Sequence, residues 1–227
     1  MIKNKKLISA LVIYCILFYT AWSLVGVILR NYVEIWSGNN EVIIQLIGSG
    51  IIKNLVWTFP AFLLIKHFEK DMYVGMKEMF TTKVKIWDIM PVCIACVIYA
   101  LADVIKKWDW SIEESFGWGK IIIILFVGIT EEMVFRGWLL NSTLKNADKE
   151  WKKWLAIGIN AVMFLLIHFP IWIYEGVFAR NIQSFAFVGI ILLSGIFSWL
   201  FLKTKNILVP VALHMIYDLL VFMFIGG

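Results

Sequence analysis

Charge is scarce in this chain: 16% of its 227 residues are Asp, Glu, Lys or Arg, whereas 61% are hydrophobic. A water-soluble domain carries about 25% charged and about 45–50% apolar residues, so a soluble reading fails at the first count. Cysteine is also thin. Cys93 and Cys96 form a C-x-x-C and Cys15 stands alone, all within apolar stretches. No βαβ pattern surrounds the pair and no second pair completes a zinc site, so they read as small packing residues and report no redox compartment. Histidine is limited to His67, His168 and His214, no two within one helical turn. The H-E-x-x-H pattern of zinc peptidases is therefore missing. Internal repeats and low-complexity tracts are absent as well.

What is present is hydrophobic sequence in long blocks. About 20 apolar residues in helical form cross the hydrocarbon, and seven segments approach that length: about 7–29, 43–65, 87–105, 119–140, 154–174, 183–202 and 207–225. The second carries Lys53 and the third is short. The expected fold is all-α, a polytopic membrane bundle of about seven (six to eight) transmembrane helices. It forms one integral membrane domain over residues 1–227. The first block follows three lysines and runs from Leu7 to about Leu29. A cleavable signal has an apolar core of only about 7–15 residues, so this block reads as a retained span.

Basic residues set the expected orientation. With the N-terminus inside, 14 Lys and Arg fall on the inner side and 5 on the outer. This points to a multi-pass protein of the cell membrane with a cytoplasmic N-terminus. The net charge of +5 is spread over short loops, so it marks topology rather than a nucleic-acid partner. Trp36, Trp87, Trp108, Trp110, Trp118, Trp151, Trp154 and Trp172 fall near expected span ends, where indoles favour the interface. The stretch 68–85 mixes Met72, Met76, Met79 and Phe80 with lysines. It reads either as an amphipathic helix on the inner surface or as a solvated loop.

Ionisable groups inside a span cost about 2.5–3.5 kcal/mol each on insertion scales and by default mark function. The fourth segment holds Glu131, Glu132 and Arg136, the fifth His168, and the seventh His214 and Asp218. Glu132 and Arg136 are four apart and can pair along one helix face, while Glu131 is turned about 100° away. One carboxylate can thus be held as structure while the other faces a cavity. His214 and Asp218 share a face, so Asp218 could fix an imidazole tautomer. The bland alternatives are an ion-pair latch for the glutamates and interhelical hydrogen bonds for the histidines. Lys53 either pairs with a site carboxylate or snorkels to an interface, the second being the favoured reading; Asn160 reads as a packing polar group and Asp103 as interfacial. Pro170 and Pro210 are expected to loosen backbone near the site. Counting about 1.5 Å per residue from the inner span ends puts Glu131 at about 14 Å, His214 at about 11 Å and His168 at about 21 Å. These depths disagree unless the fourth helix extends towards Leu144.

Glu-Glu-x-x-x-Arg, then Phe-x-x-x-His, then His-x-x-x-Asp stand in order on three hydrophobic segments. With the flanking runs Phe135–Leu140 and Leu208–His214, they resemble the CPBP (Abi) family of intramembrane proteases. That family includes the CAAX prenyl endopeptidases and bacterial relatives linked to bacteriocin processing and self-immunity. The resemblance covers about 119–220 and leaves the N-terminal half undiagnosed. It implies an intramembrane endopeptidase acting on a membrane-associated peptide or protein. Glu131 would activate water, and His168 and His214 would orient it and stabilise the oxyanion. Asp218 would complete the catalytic set, with Glu132 and Arg136 supporting it. No cofactor is expected. The alternative is zinc held by Glu131, His168 and His214, since two histidines and a carboxylate can make an open site. A non-catalytic immunity or partner protein of a bacteriocin or export system is the other functional reading, and a small transporter a third.

Overall fold

The computed structural model describes residues 4–24, 29–38 and 40–226. These form helices and turns with no strand among the described residues. Helix α1 (Lys5–Leu24) begins at Asn4, whose Oδ1 accepts from the backbone N–H groups of Lys6 (3.0 Å) and Leu7 (3.4 Å). Capping of this kind satisfies donors that a helix start leaves unpaired. A short α2 (Arg30–Trp36) leads to Asn40, which caps the long α3 (Glu41–His67) through the N–H of Ile43. Two stretches of α3, Leu46–Ile52 and Asn54–Thr58, have wide π-type turns. Asn54 Nδ2 donates to the carbonyls of Ser49 and Gly50 between them. Such turns are rare, re-aim side chains and recur at functional sites.

After α4 (Met76–Thr81) come α5 (Met90–Ala100) and α6 (Ala102–Lys107). Helix α7 (Trp118–Glu132) continues without a break through wide turns at Met133–Leu140 into α8 (Asn141–Leu144). Then follow α9 (Glu150–Leu166), α10 (His168–Tyr174), α11 (Phe178–Gln183), α12 (Ala186–Thr204) and α13 (Leu208–Phe224). α7 occupies the middle, between α3 and α13, and α9 lies along α12.

The seven expected segments coincide with seven helical rods, but not all are full spans. α1, α3, the joined α9–α10 and α12 are long and apolar enough to cross a membrane. α13 is apolar but 17 residues long. α5 has 11 residues, short of the ~20 a straight crossing takes, because the chain breaks at Leu101. The seventh rod, α7–α8, contains the buried Glu131, Glu132 and Arg136. Part of the first expected segment, residues 25–28, lies outside the described residues.

The loops divide into two sets, each stitched together. Asn4 bonds Asp71 (2.8 Å), Asn141 exchanges side-chain bonds with the backbone of Val74 (2.8 and 2.9 Å), and Asn206 donates to Thr82 O (2.7 Å). These are the segments assigned to the inner side. At the opposite end Tyr174 donates to Asn31 and Glu34, and Glu113 N–H to Met223 O. The stretch 68–85 is neither a surface helix nor a solvated loop. Phe68, Met72, Val74 and Met79 are buried in the main core, so the segment plugs one end of the bundle. Seven of the eight tryptophans named above are exposed; Trp172 is buried instead, packed beside His168 and Phe169.

Candidate active site

The site grows from the end of α7, where Thr130, Glu131 and Glu132 are all buried. One turn earlier, Gly128 lets α13 approach: a Cβ there would sit 2.7 Å from Met215 Cγ. His214, the neighbour of Met215, is thereby brought against α7. Its Nδ1 lies 2.9 Å from Glu132 Oε1. The same oxygen accepts from Arg136 Nη1 at 2.9 Å, the i,i+4 pair expected from spacing. Arg136 is wholly buried, and its Nη2 donates to both the carbonyl (2.9 Å) and the hydroxyl (2.7 Å) of Ser194 on α12. The rings of Phe164 and Phe197 flank the guanidinium at 4.9 and 5.5 Å, a cation–π arrangement that strengthens when water is excluded. Phe197 also stacks on His214, with centroids 5.1 Å apart. His214 Nε2 faces Asp218 Oδ2 at 3.5 Å, too long for a good hydrogen bond. The partner that fixes the imidazole is therefore Glu132 rather than Asp218.

Glu131 looks the other way. Its Oε1 accepts from Lys53 Nζ of α3 at 2.7 Å. Lys53 does not snorkel: it is 5% exposed, and its ammonium lies over the rings of Trp57 (4.6 Å) and Trp22 (5.1 Å). The wide turns on both sides of Lys53 give α3 the register that points this side chain inward. Asn54 joins the same contact by accepting from Thr130 Oγ1 at 3.2 Å. Glu131 Oε2 takes no hydrogen bond among the described residues and is not sealed from solvent. The outer oxygen of Glu132 is sealed: Oε2 is buried without a partner, as is Arg136 Nε.

His168 opens α10 after a break at Ile167. Pro170 contributes to that break, because it has no N–H to return to the preceding turn. Side chains of α1 take carbonyls around it: Tyr19 OH donates to Met163 O (2.6 Å) and Trp22 Nε1 to Ile167 O (2.7 Å). His168 Nδ1 lies 3.0 Å from Phe164 O, which turns Nε2 outward. The imidazole packs on Phe164 and Trp172 with centroids 5.3 and 6.0 Å away. Glu131 lies within electrostatic reach of Lys53, His214 and His168. The rod α7–α8 does reach Leu144, the extension that the depth count called for.

Glu132, Arg136, His214 and Asp218 thus meet in one cluster, Glu131 meets Lys53, and His168 stands across the Phe164 ring. Asn160, read as a packing group, ties Phe135 O to Ser198 by bonds of 2.9 and 3.2 Å. Lys53, Ser194, Tyr19 and Trp22 were not in the expected site. A lysine inside an apolar segment was itself a signal; a serine and two aromatics among many gave none. For the zinc alternative the donors do not fit: among the described residues no three His, Cys, Asp or Glu side chains could hold a metal ion. His214 Nδ1 is engaged by Glu132, and Glu131 by Lys53.

Residues 113–220 match the family model described as Type II CAAX prenyl endopeptidase Rce1-like. The match takes in Glu131, Glu132, Arg136, His168, Ser194, His214 and Asp218 and leaves out Lys53. Comparisons with curated proteins and with solved structures gave no match.

Proposed function

We propose, from the membership of residues 113–220 in the CPBP (CAAX-protease-like) family, that this chain is a glutamate-type intramembrane endopeptidase. The observation that carries the reading is the division of labour between adjacent carboxylates. Glu132 is locked by Arg136 and His214, whereas Glu131 keeps one oxygen free, with His168 and His214 within electrostatic reach of its carboxylate. A water held at Glu131 Oε2 gives up its proton to that oxygen as it attacks a peptide carbonyl. His168, through Nε2, and His214, held by Glu132 on its other nitrogen, steady the water and the developing oxyanion. Each such donor is worth about 10²–10³ in rate. The proton on Glu131 then passes to the leaving amine, and the products are a new carboxylate and a new amine. Asp218, whose Oδ2 lies 3.5 Å from His214 Nε2, completes the set from the far side of the imidazole. No cofactor takes part, and the N-terminus is cytoplasmic. The substrate is a membrane-associated peptide or protein, because the carboxylates lie within a bundle of apolar helices.

The test uses the purified full-length protein in lipid nanodiscs with peptides extracted from membranes, and mass spectrometry of the new termini. The parent should cleave, and Glu131→Gln should be slower by at least about 10²-fold, the lower range for losing a general base. Chelators should leave the rate unchanged. Cleavage that survives Glu131→Gln contradicts the reading. Cleavage abolished by chelators, with stoichiometric zinc in the protein, would replace it by a metallopeptidase mechanism.

A further inference from the structure

Among the described residues, Lys53 is a buried cation that the proposed chemistry leaves unused. Lys53 stands outside the matched segment, on α3, yet its Nζ makes a 2.7 Å bond to Glu131 Oε1. It is 5% exposed and caged by two indoles, with its ammonium 4.6 Å from the Trp57 ring and 5.1 Å from the Trp22 ring. The cage is itself held. Tyr14 OH donates to Trp57 O at 3.0 Å, and Trp22 Nε1 donates to Ile167 O, the residue before His168. Wide turns on either side of Lys53 orient it, at a length of helix where regular turns would suffice for a simple span.

A carboxylate has two equivalent oxygens and a freely turning terminal torsion, so a single free Glu side chain presents neither oxygen reliably. An ammonium fixed against one oxygen removes that freedom. We infer that Lys53 is the positioning residue of Glu131. It grips Oε1 so that Oε2 alone is presented towards His168 and His214. This deepens the proposed function and rests on it. The same indole cage links the lysine, and hence Glu131, to the break that presents His168. Lys53 touches neither substrate nor reacting atoms in this account; it acts through Glu131. It offers a reason why the N-terminal half is folded against the matched half at this point.

Two readouts test it on the full chain in nanodiscs, with the membrane-peptide extract as probe. Lys53→Met should lower kcat by about 10- to 100-fold, the scale of misplacing a reacting group by about 1 Å, with KM within about twofold. Lys53→Arg, which keeps the charge, should recover most of the loss. A kcat for Lys53→Met within about twofold of the parent, or no recovery in Lys53→Arg, overturns the inference. The second readout needs no activity: melting temperatures of Lys53→Met, Glu131→Gln and the double variant. Non-additive losses, with the double variant no worse than Lys53→Met alone, are expected of a coupled buried pair. Additive losses overturn the pairing. A parent protein that cleaves none of the probe would count against the proposed function, and the melting cycle would still decide whether Lys53 and Glu131 act as a pair.

Discussion

The two adjacent glutamates divide the molecule between its halves. Glu132 belongs to the C-terminal half: Arg136, Ser194 and His214 close around it, all inside the matched segment 113–220. Glu131 reaches back to the N-terminal half, to Lys53 on α3 and through its indole cage to α1. A single step along a helix turns a side chain by about 100°, which is enough to send neighbours to different partners. One carboxylate is sealed and saturated at Oε1; the other keeps a free oxygen. A paired Glu-Glu in a membrane helix thus need not share partners. Under the proposed function the first supplies the chemistry and the second the fastening that holds His214 and α12 in place.

The comparison can be broken most forcefully at Arg136. Removing one partner of a fully buried ion pair costs about 3–5 kcal/mol, so Arg136→Ala should unfold far more easily than the parent in chemical or thermal melts. It should also be less stable than Lys53→Met, since Glu131 retains some access to solvent. The reverse order would mean that the sealed cluster is not the structural one. Next in size, Gly128→Ala should cost about 1–3 kcal/mol by overpacking. It pushes on Met215 and should move His214, lowering activity; a variant as stable and active as the parent would contradict the close approach of α7 and α13. The smallest effect is expected from Trp22→Phe, which loses one hydrogen bond worth about 0.5–1.5 kcal/mol. Its activity should fall by more than its stability suggests, because Trp22 serves both the Lys53 cage and the His168 break. Equal, slight effects on both would detach α1 from the site.

Much of the site was legible because its signals are local. Spacing alone gave the Glu132–Arg136 pair, and motif order gave the three rods that carry Glu131, His168 and His214. The rest depends on contacts made across long stretches of sequence. Whether Lys53 snorkels or pairs is decided by Glu131, 78 positions further along the chain, and apolar sequence cannot announce that partner. The wide turns in α3 and after Glu132 have no distinctive composition, since packing rather than propensity stabilises them. Hydropathy also misjudged α5, where the apolar run continues past the helix end at Leu101, and the stretch 68–85, whose buried methionines plug the core while its lysines face out. Trp172 sits near a span end as expected, but the indole turns inward to support His168.

The central claim is that Glu131, and not the bundle as a scaffold, performs the function. It is tested most directly by comparing membrane peptides, by mass spectrometry, from cells carrying the parent protein and cells carrying Glu131→Gln at equal abundance. The account predicts that one or a few membrane-associated peptides persist uncleaved in the variant while their cut forms appear only with the parent. Identical peptides and identical cut forms in both strains would contradict it.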